Sequence, residues 1–415
     1  MKYREIEKTN GRKEMKRINI LVGQSGGPTA AINATLAGVI ERAMQTENIG
    51  TVYGARNGIK GILRKDLVNL SEIFADSSKL DLLKQTPSAY LGSCRYRVEG
   101  NDEIGRIIGI FKEYNIGCFF YIGGNDSMDT VLKLSQAAKE NGITVIGIPK
   151  TIDNDLAVTD HCPGYGSSAK YIATVMSEVT RDTLCYDIES VTIVEIMGRN
   201  AGWLTAAAAL ARVNGGLAPH LIYLPEVAFD TEKFVADVRK MIDTHKNVVV
   251  AVSEGIKDKD GKYISSSDIL HKEDLFGHSQ LGGVGKSLEM LIKDRLKVKV
   301  RSIELNTPQR CAAHIASLTD IEESAMIGRA GVDAALGGHS GEMMIYKRGG
   351  GDTYSVETGT TDIASAANEE KKVPKSFISA EGNDVTEEFI TYALPLIQGE
   401  CCIKYKNGIP QTMVL

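Results

Sequence analysis

Tryptophan and paired cysteines are nearly absent from this 415-residue sequence. The chain has one tryptophan, Trp203, and its seven cysteines form neither a CxxC pair nor a cluster with histidine at the spacing of metal ligands. The sequence therefore predicts neither a zinc site nor a disulfide framework. Unpaired thiols are typical of a reducing compartment, so we expect a cytoplasmic protein with buried cysteines.

Long apolar segments and an excess of either charge are also missing. No stretch of 18 apolar residues occurs, which predicts no membrane span. Residues 1–16 lack the apolar part of a secretory signal, and we expect them to form a mobile arm. The 48 basic and 53 acidic residues are interspersed and leave a net charge of -5, which predicts neither nucleic acid nor a membrane as a partner. Any bound phosphate must be held by local groups.

Short β-branched runs alternate along the chain with longer segments of helical periodicity. The runs are largely apolar rather than alternating, as in strands buried on both faces of a parallel sheet. They are Ile18–Gly23, Cys118–Gly124, Ile143–Pro149, Val191–Gly198 and Asn247–Gly255. Helices are predicted from Asp126 and from Thr231. This alternation predicts an α/β fold of two domains with mainly parallel sheets, with a break near Thr159, where a cluster of Pro, Gly and Ser interrupts the periodicity.

Two glycine-rich loops follow predicted strands. GQSGGPTAAIN places Gly23, Gly26 and Gly27 before an alanine-rich helix, where backbone N–H groups could bind a phosphate. A tight strand-to-helix turn explains it equally well, since neither the GxGxxG nor the P-loop spacing is present. IGGNDS adds Gly124 and the polar group Asn125, Asp126 and Ser127, which could hold a hydrated cation or simply cap the next helix.

PKTIDND, residues 149–155, is the most informative segment. A lysine, a hydroxyl and two carboxylates directly follow an apolar strand, and packing does not require that composition. One carboxylate could take a proton from an attacking hydroxyl, the other could act through Mg²⁺, and Lys150 could neutralise a phosphoryl group. A solvated turn is the alternative.

Three later segments carry further polar groups at strand ends. MGRNAGW offers Arg199 to phosphate or sugar oxygens, and SEG offers Glu254, although either could instead form an ion pair between domains. VRSIELNTPQR places Arg301 and Arg310 at opposite ends of a strand-like run. The charged stretch EEKK, residues 369–372, is predicted to be a solvated turn.

Taken in order, GGPTAAIN, IGGNDS, PKTIDND, MGRNAGW, SEG and VRSIELNTPQR resemble the phosphofructokinases over residues 18–338. The resemblance implies two Rossmann-like α/β/α domains with the active site in the cleft between them. It implies that residues 17–159 and about 308–340 bind the phosphoryl donor, and that 160–307 and about 341–415 bind the sugar phosphate. The substrate is then fructose 6-phosphate, with Mg²⁺ as cofactor.

The resemblance also implies roles for individual residues. Asp153 resembles the catalytic base, Arg199 acts beside it, and Arg301 looks like the arginine that a subunit of the family lends to its neighbour, which implies a homodimer or homotetramer. The metal is expected at Asn125, Asp126 and Asp155. Residues that match the sugar-phosphate positions are Thr151, Ile152, Asp153, Met197, Gly198, Arg199, Glu254, Arg301, Thr307, Pro308, Gln309 and Arg310.

Two positions bear on the donor. Family members that use ATP have glycine at the places of Asp126 and Lys150, and members that use pyrophosphate have lysine at the second. The Asp126 carboxylate would repel the α-phosphate of ATP, and Lys150 could stabilise charge on the departing phosphate. Pyrophosphate is therefore the expected donor. Asn125, Ser190 and the pair Asn306 and Thr307 depart from the family pattern at metal and sugar positions.

Three other interpretations stay open on the sequence alone. The first is an ATP-dependent phosphofructokinase with an unusual loop. The second is a silent relative that binds sugar phosphate and acts through a partner, which Asn125 makes conceivable but the retained Asp153 and Arg199 disfavour. The third is a dinucleotide-binding oxidoreductase, which the lack of GxGxxG disfavours.

Overall fold

The computed structural model describes residues 17–264, 283–351, 353–367 and 369–415, so the arm predicted over 1–16 lies outside the described residues. The strands of these residues are, in chain order, β1 (Ile18–Gln24), β2 (Ile49–Ala55), β3 (Leu67–Asn69), β4 (Ile116–Gly123), β5 (Thr144–Pro149), β6 (Ser190–Ile196), β7 (Leu221–Tyr223), β8 (Asn247–Ser253), β9 (Lys299–Glu304), β10 (Glu342–Arg348), β11 (Val356–Asp362), β12 (Tyr405–Lys406) and β13 (Ile409–Pro410).

Helices occupy most of the connections between strands. The α-helices are α1 (Ile32–Met44), α2 (Gly58–Arg64), α3 (Leu70–Ile73), α4 (Ser78–Gln85), α5 (Gly100–Glu113), α6 (Asn125–Glu140), α7 (Tyr165–Leu184), α8 (Trp203–Ala206), α9 (Thr231–His245), α10 (Val284–Leu296), α11 (Pro308–Cys311), α12 (Leu318–Leu336) and α13 (Glu387–Ala393). Short 3₁₀ turns cover 207–212, 313–315, 363–365, 375–377 and 394–397. Helix α9 begins where predicted because the Asp230 carboxylate accepts hydrogen bonds from the N–H groups of Glu232 and Lys233.

The first sheet contains the strands that precede both glycine loops. Its order is β11-β10-β5-β4-β1-β2-β3, and β2, β1, β4, β5 and β10 run parallel. The central strands are buried on both faces, which explains why they are largely apolar rather than alternating. Because β5, β4 and β1 are neighbours, their carboxyl ends bring PKTIDND and the two glycine loops together at one edge.

The second sheet has the order β7-β8-β6-β9, and all of its pairs are parallel. Ile196 at the end of β6 pairs with Ser253 at the end of β8, so the arginine and glutamate loops begin side by side. The α/β fold with mainly parallel sheets that the sequence predicted is confirmed.

The C-terminal part of the chain corrects the predicted division. The sequence predicts that residues from about 341 onward belong with the second sheet, but β10 pairs with β5 and β11 pairs with β10, so both strands extend the first sheet. The apolar residues Met343, Met344 and Ile345 are buried there. Helix α13 does pack with the second unit, since Phe389 and Ala393 share a core with Trp203. The tail therefore spans both units.

Helix α1, which follows the first glycine loop, is held against α12. A Cβ atom on Gly38 would lie 2.0 Å from the carbonyl oxygen of Ala325, and one on Gly328 would lie 2.2 Å from that of Thr35. Only glycine permits this approach of two helix backbones. No helix among the described residues is long and apolar enough to cross a membrane.

Candidate active site

The carboxyl ends of the two sheets face one cleft of about 440 Å³. Its walls come mainly from the loops after β1, β4, β5, β6 and β8, and Arg310 reaches it from α11 after β9. The residues that the sequence predicted and that line this cleft are Gly26, Gly27, Gly124, Asn125, Asp126, Ser127, Lys150, Thr151, Ile152, Asp153, Asp155, Met197, Arg199, Glu254 and Arg310. Groups more than 280 residues apart in the sequence thus share one cavity.

Two cations approach the first glycine loop. Lys150 Nζ lies 3.0 Å from the position that a Cβ atom on Gly26 would occupy, and Arg310 Nη1 lies 3.6 Å from the corresponding position on Gly27. Gly26 has φ +76°, which disfavours a side chain there in any case. The Ser25 and Ser127 hydroxyls, 2.6 Å apart, connect this loop to the second glycine loop. Glycine backbone beside two cations suits an anion with several oxygen atoms.

The pKa values of Lys150 and Asp153 are both shifted by their surroundings in the cleft. The lysine is only 3% exposed, and burial lowers its pKa to about 8 while Asp153 and Asp155 act in the opposite direction. Burial raises the pKa of Asp153 to about 7; the carboxylates of Asp155 and Glu254 add to this shift, and Lys150 and Arg199 oppose it. A carboxylate with a pKa near neutrality is suited to accept a proton in catalysis.

The polar residues of the second glycine loop do not cap helix α6. The cap residue is Gly124, and no side chain accepts a capping hydrogen bond. Asn125 Oδ1 is buried without a hydrogen-bond partner, so an acceptor is available at the cleft. Asp126 forms an ion pair with Arg97 at 3.4 Å. The simpler alternative of a capping pair is therefore wrong.

The second sheet contributes a rigid wall of backbone and side chains. Glu254 Oε1 accepts a hydrogen bond from the N–H of Gly198 at 3.3 Å, and Gln309 Oε1 accepts one from the N–H of Met197 at 3.2 Å. Burial raises the pKa of Glu254. The Nε atoms of Arg199 and Arg310 are buried and lack a protein partner. Both guanidinium groups thus keep a donor for a ligand.

Several predicted residues do not line the cleft. Gly23 lies within β1, where a Cβ atom would be 3.1 Å from the Tyr121 ring, so its role is packing. Gly198 and Gln309 support the wall rather than form its surface. Arg301 lies elsewhere, where it donates to Asp182 at 3.1 Å. Thr307 and Pro308 begin α11 outside the cavity.

Other residues line the cleft without having been predicted. They are Ser25, Pro28, Thr29, Arg95, Arg97, Asn200, Ala201 and Glu370. Arg95 and Arg97 lie in an irregular segment with no strand before it, so no strand-end signal identified them. Glu370 belongs to the EEKK stretch that was predicted to be a solvated turn. That prediction is wrong for Lys371, whose side chain is partly buried and donates three hydrogen bonds.

Comparisons with known proteins agree with this geometry. The sequence profile described as "Phosphofructokinase" matches residues 19–317. The pyrophosphate--fructose 6-phosphate 1-phosphotransferase of Methylococcus capsulatus is 42% identical over 406 residues, which cover 96% of each chain. That of Halomonas elongata is 39% identical over 97% of each chain. The crystal structure of the pyrophosphate-dependent phosphofructokinase from Marinobacter aquaeolei superposes with a TM-score of 0.85 at 38% identity and 95% coverage of both chains. The chain therefore belongs to the phosphofructokinase family.

Proposed function

We propose that this protein is a cytoplasmic, pyrophosphate-dependent 6-phosphofructokinase. It transfers a phosphoryl group reversibly from pyrophosphate to the 1-hydroxyl of fructose 6-phosphate, giving fructose 1,6-bisphosphate and phosphate in glycolysis or gluconeogenesis. The observation that carries the proposal is the buried Lys150 ammonium against Gly26. A fixed cation at the phosphate loop can stabilise the charge that develops on the departing phosphate.

Asp153 is the general base of this mechanism. It accepts the proton of the 1-hydroxyl as the oxygen attacks phosphorus, and its raised pKa makes this transfer favourable near neutral pH. Arg199 and Arg310 face the same cleft and orient the anionic substrates through their free donors. The reverse reaction uses the same groups, with Asp153 returning the proton.

Mg²⁺ fits the polar groups at the donor end. Asn125 Oδ1 lacks a partner, and the carboxylates of Asp126 and Asp155 line the same cleft. No group of three acidic, histidine or cysteine side chains among the described residues could hold a metal by itself. A small set of protein oxygen atoms suits Mg²⁺, which keeps several water ligands and uses substrate phosphates as further ligands. When bound, the ion would neutralise phosphate charge.

The preference for pyrophosphate over ATP rests on Asp126 and Lys150. The Asp126 carboxylate lies at the start of α6 and is engaged by Arg97, so the loop ends in a charged pair rather than in open backbone. A nucleoside and α-phosphate would have to pass this carboxylate. Pyrophosphate is shorter than ATP and would end before it reached this carboxylate. Relatives that are 39–42% identical over nearly the whole chain have names that include pyrophosphate, in keeping with this choice.

The test is the initial rate with fructose 6-phosphate and Mg²⁺, with pyrophosphate or ATP supplied in parallel. We expect turnover with pyrophosphate alone. Asp126→Gly is the matched variant: it should lower the discrimination against ATP while the fold is retained. Activity with ATP alone would contradict the choice of donor, and inactivity with both donors would favour a silent, sugar-phosphate-binding relative.

The active unit is proposed to be a homodimer or homotetramer. Arg301 lies outside the cleft of its own chain, beside Asp182 and the exposed side chains of Tyr186 and Ile188. An arginine next to exposed apolar side chains suits a surface that meets a second subunit. Within one chain, residues 17–159 with about 308–340 are proposed to bind the donor, and residues 160–307 are proposed to bind the sugar phosphate.

A further inference from the structure

Asn154, between the two carboxylates of PKTIDND, has a left-handed backbone conformation and a buried side chain. Its φ is +54° and its exposure is 0%. Asn154 Nδ2 donates to Tyr392 Oη at 2.9 Å, and its Oδ1 accepts from the N–H of Cys162 at 3.0 Å and from Lys371 Nζ at 3.3 Å. The direction in which Asp153 and Asp155 leave the backbone therefore depends on contacts behind the loop.

Lys371 holds the same loop at three further points. Its Nζ donates to the carbonyl oxygens of Thr159 at 3.0 Å and Asp160 at 2.8 Å, and its backbone N–H donates to the carbonyl oxygen of Asp155 at 2.7 Å. A buried ammonium is costly without partners, and these carbonyl oxygens are its partners. We call residues 150–162 the catalytic loop.

Tyr392 reaches the catalytic loop from α13. Its hydroxyl accepts from Asn154 and donates to the carbonyl oxygen of Asp160 at 2.8 Å. The ring packs against Trp203 with centroids 5.2 Å apart, and the Arg348 guanidinium lies 4.6 Å from its centroid. The hydroxyl thus has one fixed position, and neither Tyr392 nor Lys371 lines the cleft.

The tail segment 370–373 is also hydrogen-bonded to the opposite wall of the cleft. Trp203 Nε1 donates to the carbonyl oxygen of Lys371 at 2.8 Å. Glu226 Oε1 accepts from the N–H groups of both Val373 and Gly202 at 2.9 Å. Gly202 and Trp203 belong to the MGRNAGW segment, which carries Arg199. One short segment is therefore bonded to the loops from both sheets.

We propose that Lys371 and Tyr392 are positioning residues that hold the catalytic loop in its reactive geometry and couple it to the MGRNAGW wall. The proposal rests on the proposed function for its catalytic readout. These residues lie beyond the part of the chain that the family profile matches, 19–317. Loss of either group frees Asn154 and displaces Asp153 without removing any group that touches a substrate.

The test uses two variants of the full-length protein and two matched controls. Tyr392→Phe removes only the hydroxyl and keeps the ring packing, and Lys371→Met removes the ammonium. Lys372→Met alters the exposed neighbouring lysine, and Tyr223→Phe removes the hydroxyl of a buried tyrosine in β7, which donates a hydrogen bond to Asp237 of α9. The controls should retain wild-type kinetics.

We expect kcat to fall about 10- to 100-fold in Tyr392→Phe and Lys371→Met, with each KM changed by less than about 3-fold, because misplacing a reacting group by about 1 Å can lower the rate about 100-fold. The double variant should lose less than the product of the two single losses, since both act through Asn154. Hydrogen exchange of the amides in residues 151–162 should be faster in both variants.

The outcomes separate this proposal from the proposed function. An unchanged kcat in both folded variants, or a rise of KM in step with the loss of kcat, would overturn the positioning role. A wild-type protein that is inactive with both donors would reject the proposed function. Hydrogen exchange would then still test the positioning role, because unchanged protection of the amides of residues 151–162 in both variants would overturn it.

Discussion

At the residue scale, Lys150 and Asp153 belong to one loop, and the charge of each residue shifts the pKa of the other. The pKa of Asp153 is raised to about 7, so this base gains its charge as pH rises through neutrality. The pKa of Lys150 is lowered to about 8, so this acid loses its charge just above that range. The reactive form, in which the carboxylate and the ammonium are both charged, is therefore confined to a narrow range of pH.

This coupling predicts the pH dependence of kcat/KM. The profile should be bell-shaped, rising through about pH 7 as Asp153 deprotonates and falling above about pH 8 as Lys150 does. In Lys150→Met the falling limb should disappear, and the rising limb should move to higher pH because a cation that lowers the pKa of Asp153 is lost.

Asp153→Asn is the matched variant for the base. It should lower kcat by about 10²- to 10⁴-fold and leave the binding of fructose 6-phosphate measurable by calorimetry. A variant that kept near wild-type turnover, or a wild-type profile without a rising limb, would show that another group is the base.

At the scale of elements, the contact between α1 and α12 sets the position of the first glycine loop. The two helices approach at Gly38 and Gly328, and a side chain at Gly38 would overlap the Ala325 backbone. Backbone atoms cannot move aside as the end of a flexible side chain can, so a substitution here must separate the helices.

Gly38→Ala should therefore lower the free energy of unfolding by about 1–3 kcal/mol, as overpacking does. Gly105→Ala in α5 is the control, because nothing lies within 4 Å of a Cβ atom there. That change should raise stability by about 0.5–1 kcal/mol through helix propensity. Chemical denaturation of both variants measures the difference, and equal effects would contradict the close helix contact.

At the scale of the whole molecule, Arg301 and Asp153 are expected to meet only across subunits. Arg301 is bonded to Asp182 outside the cleft, whereas Asp153 lines it. Arg301→Ala and Asp153→Asn should each be nearly inactive alone. If a subunit lends its arginine to its neighbour, a mixed dimer contains one site with both native residues.

Mixing the two inactive variants after dissociation should therefore restore activity. Random pairing into dimers predicts recovery of about a quarter of the wild-type activity, since half of the dimers are mixed and each has one intact site. Mixing Asp153→Asn with Lys150→Met is the control, because both residues line the same cleft and no intact site can form. Recovery in neither mixture would show that Arg301 does not act in the active site of the neighbouring subunit.

The sequence by itself determined the strands and the loops that follow them. Runs such as Ile18–Gly23 and Asn247–Gly255 are mostly apolar and do not alternate between apolar and polar residues, as expected of a strand buried on both faces, and β1 and β8 lie there. Polar residues placed directly after such strands converge because parallel strands share an edge. The resemblance of these motifs to the phosphofructokinases then implied that Lys150, Asp153, Arg199 and Glu254 share one cleft.

Only the tertiary structure decided the contribution of the C-terminal tail. Lys371 and Lys372 are indistinguishable in EEKK, yet Lys371 is partly buried because carbonyl oxygens about 211 residues earlier in the chain surround its ammonium, while Lys372 is exposed. The same holds for β10, which joins β5, and for Arg95 and Arg97, which no strand precedes. These placements depend on contacts between segments that are distant in the sequence, and local patterns of apolar and charged residues do not predict such contacts.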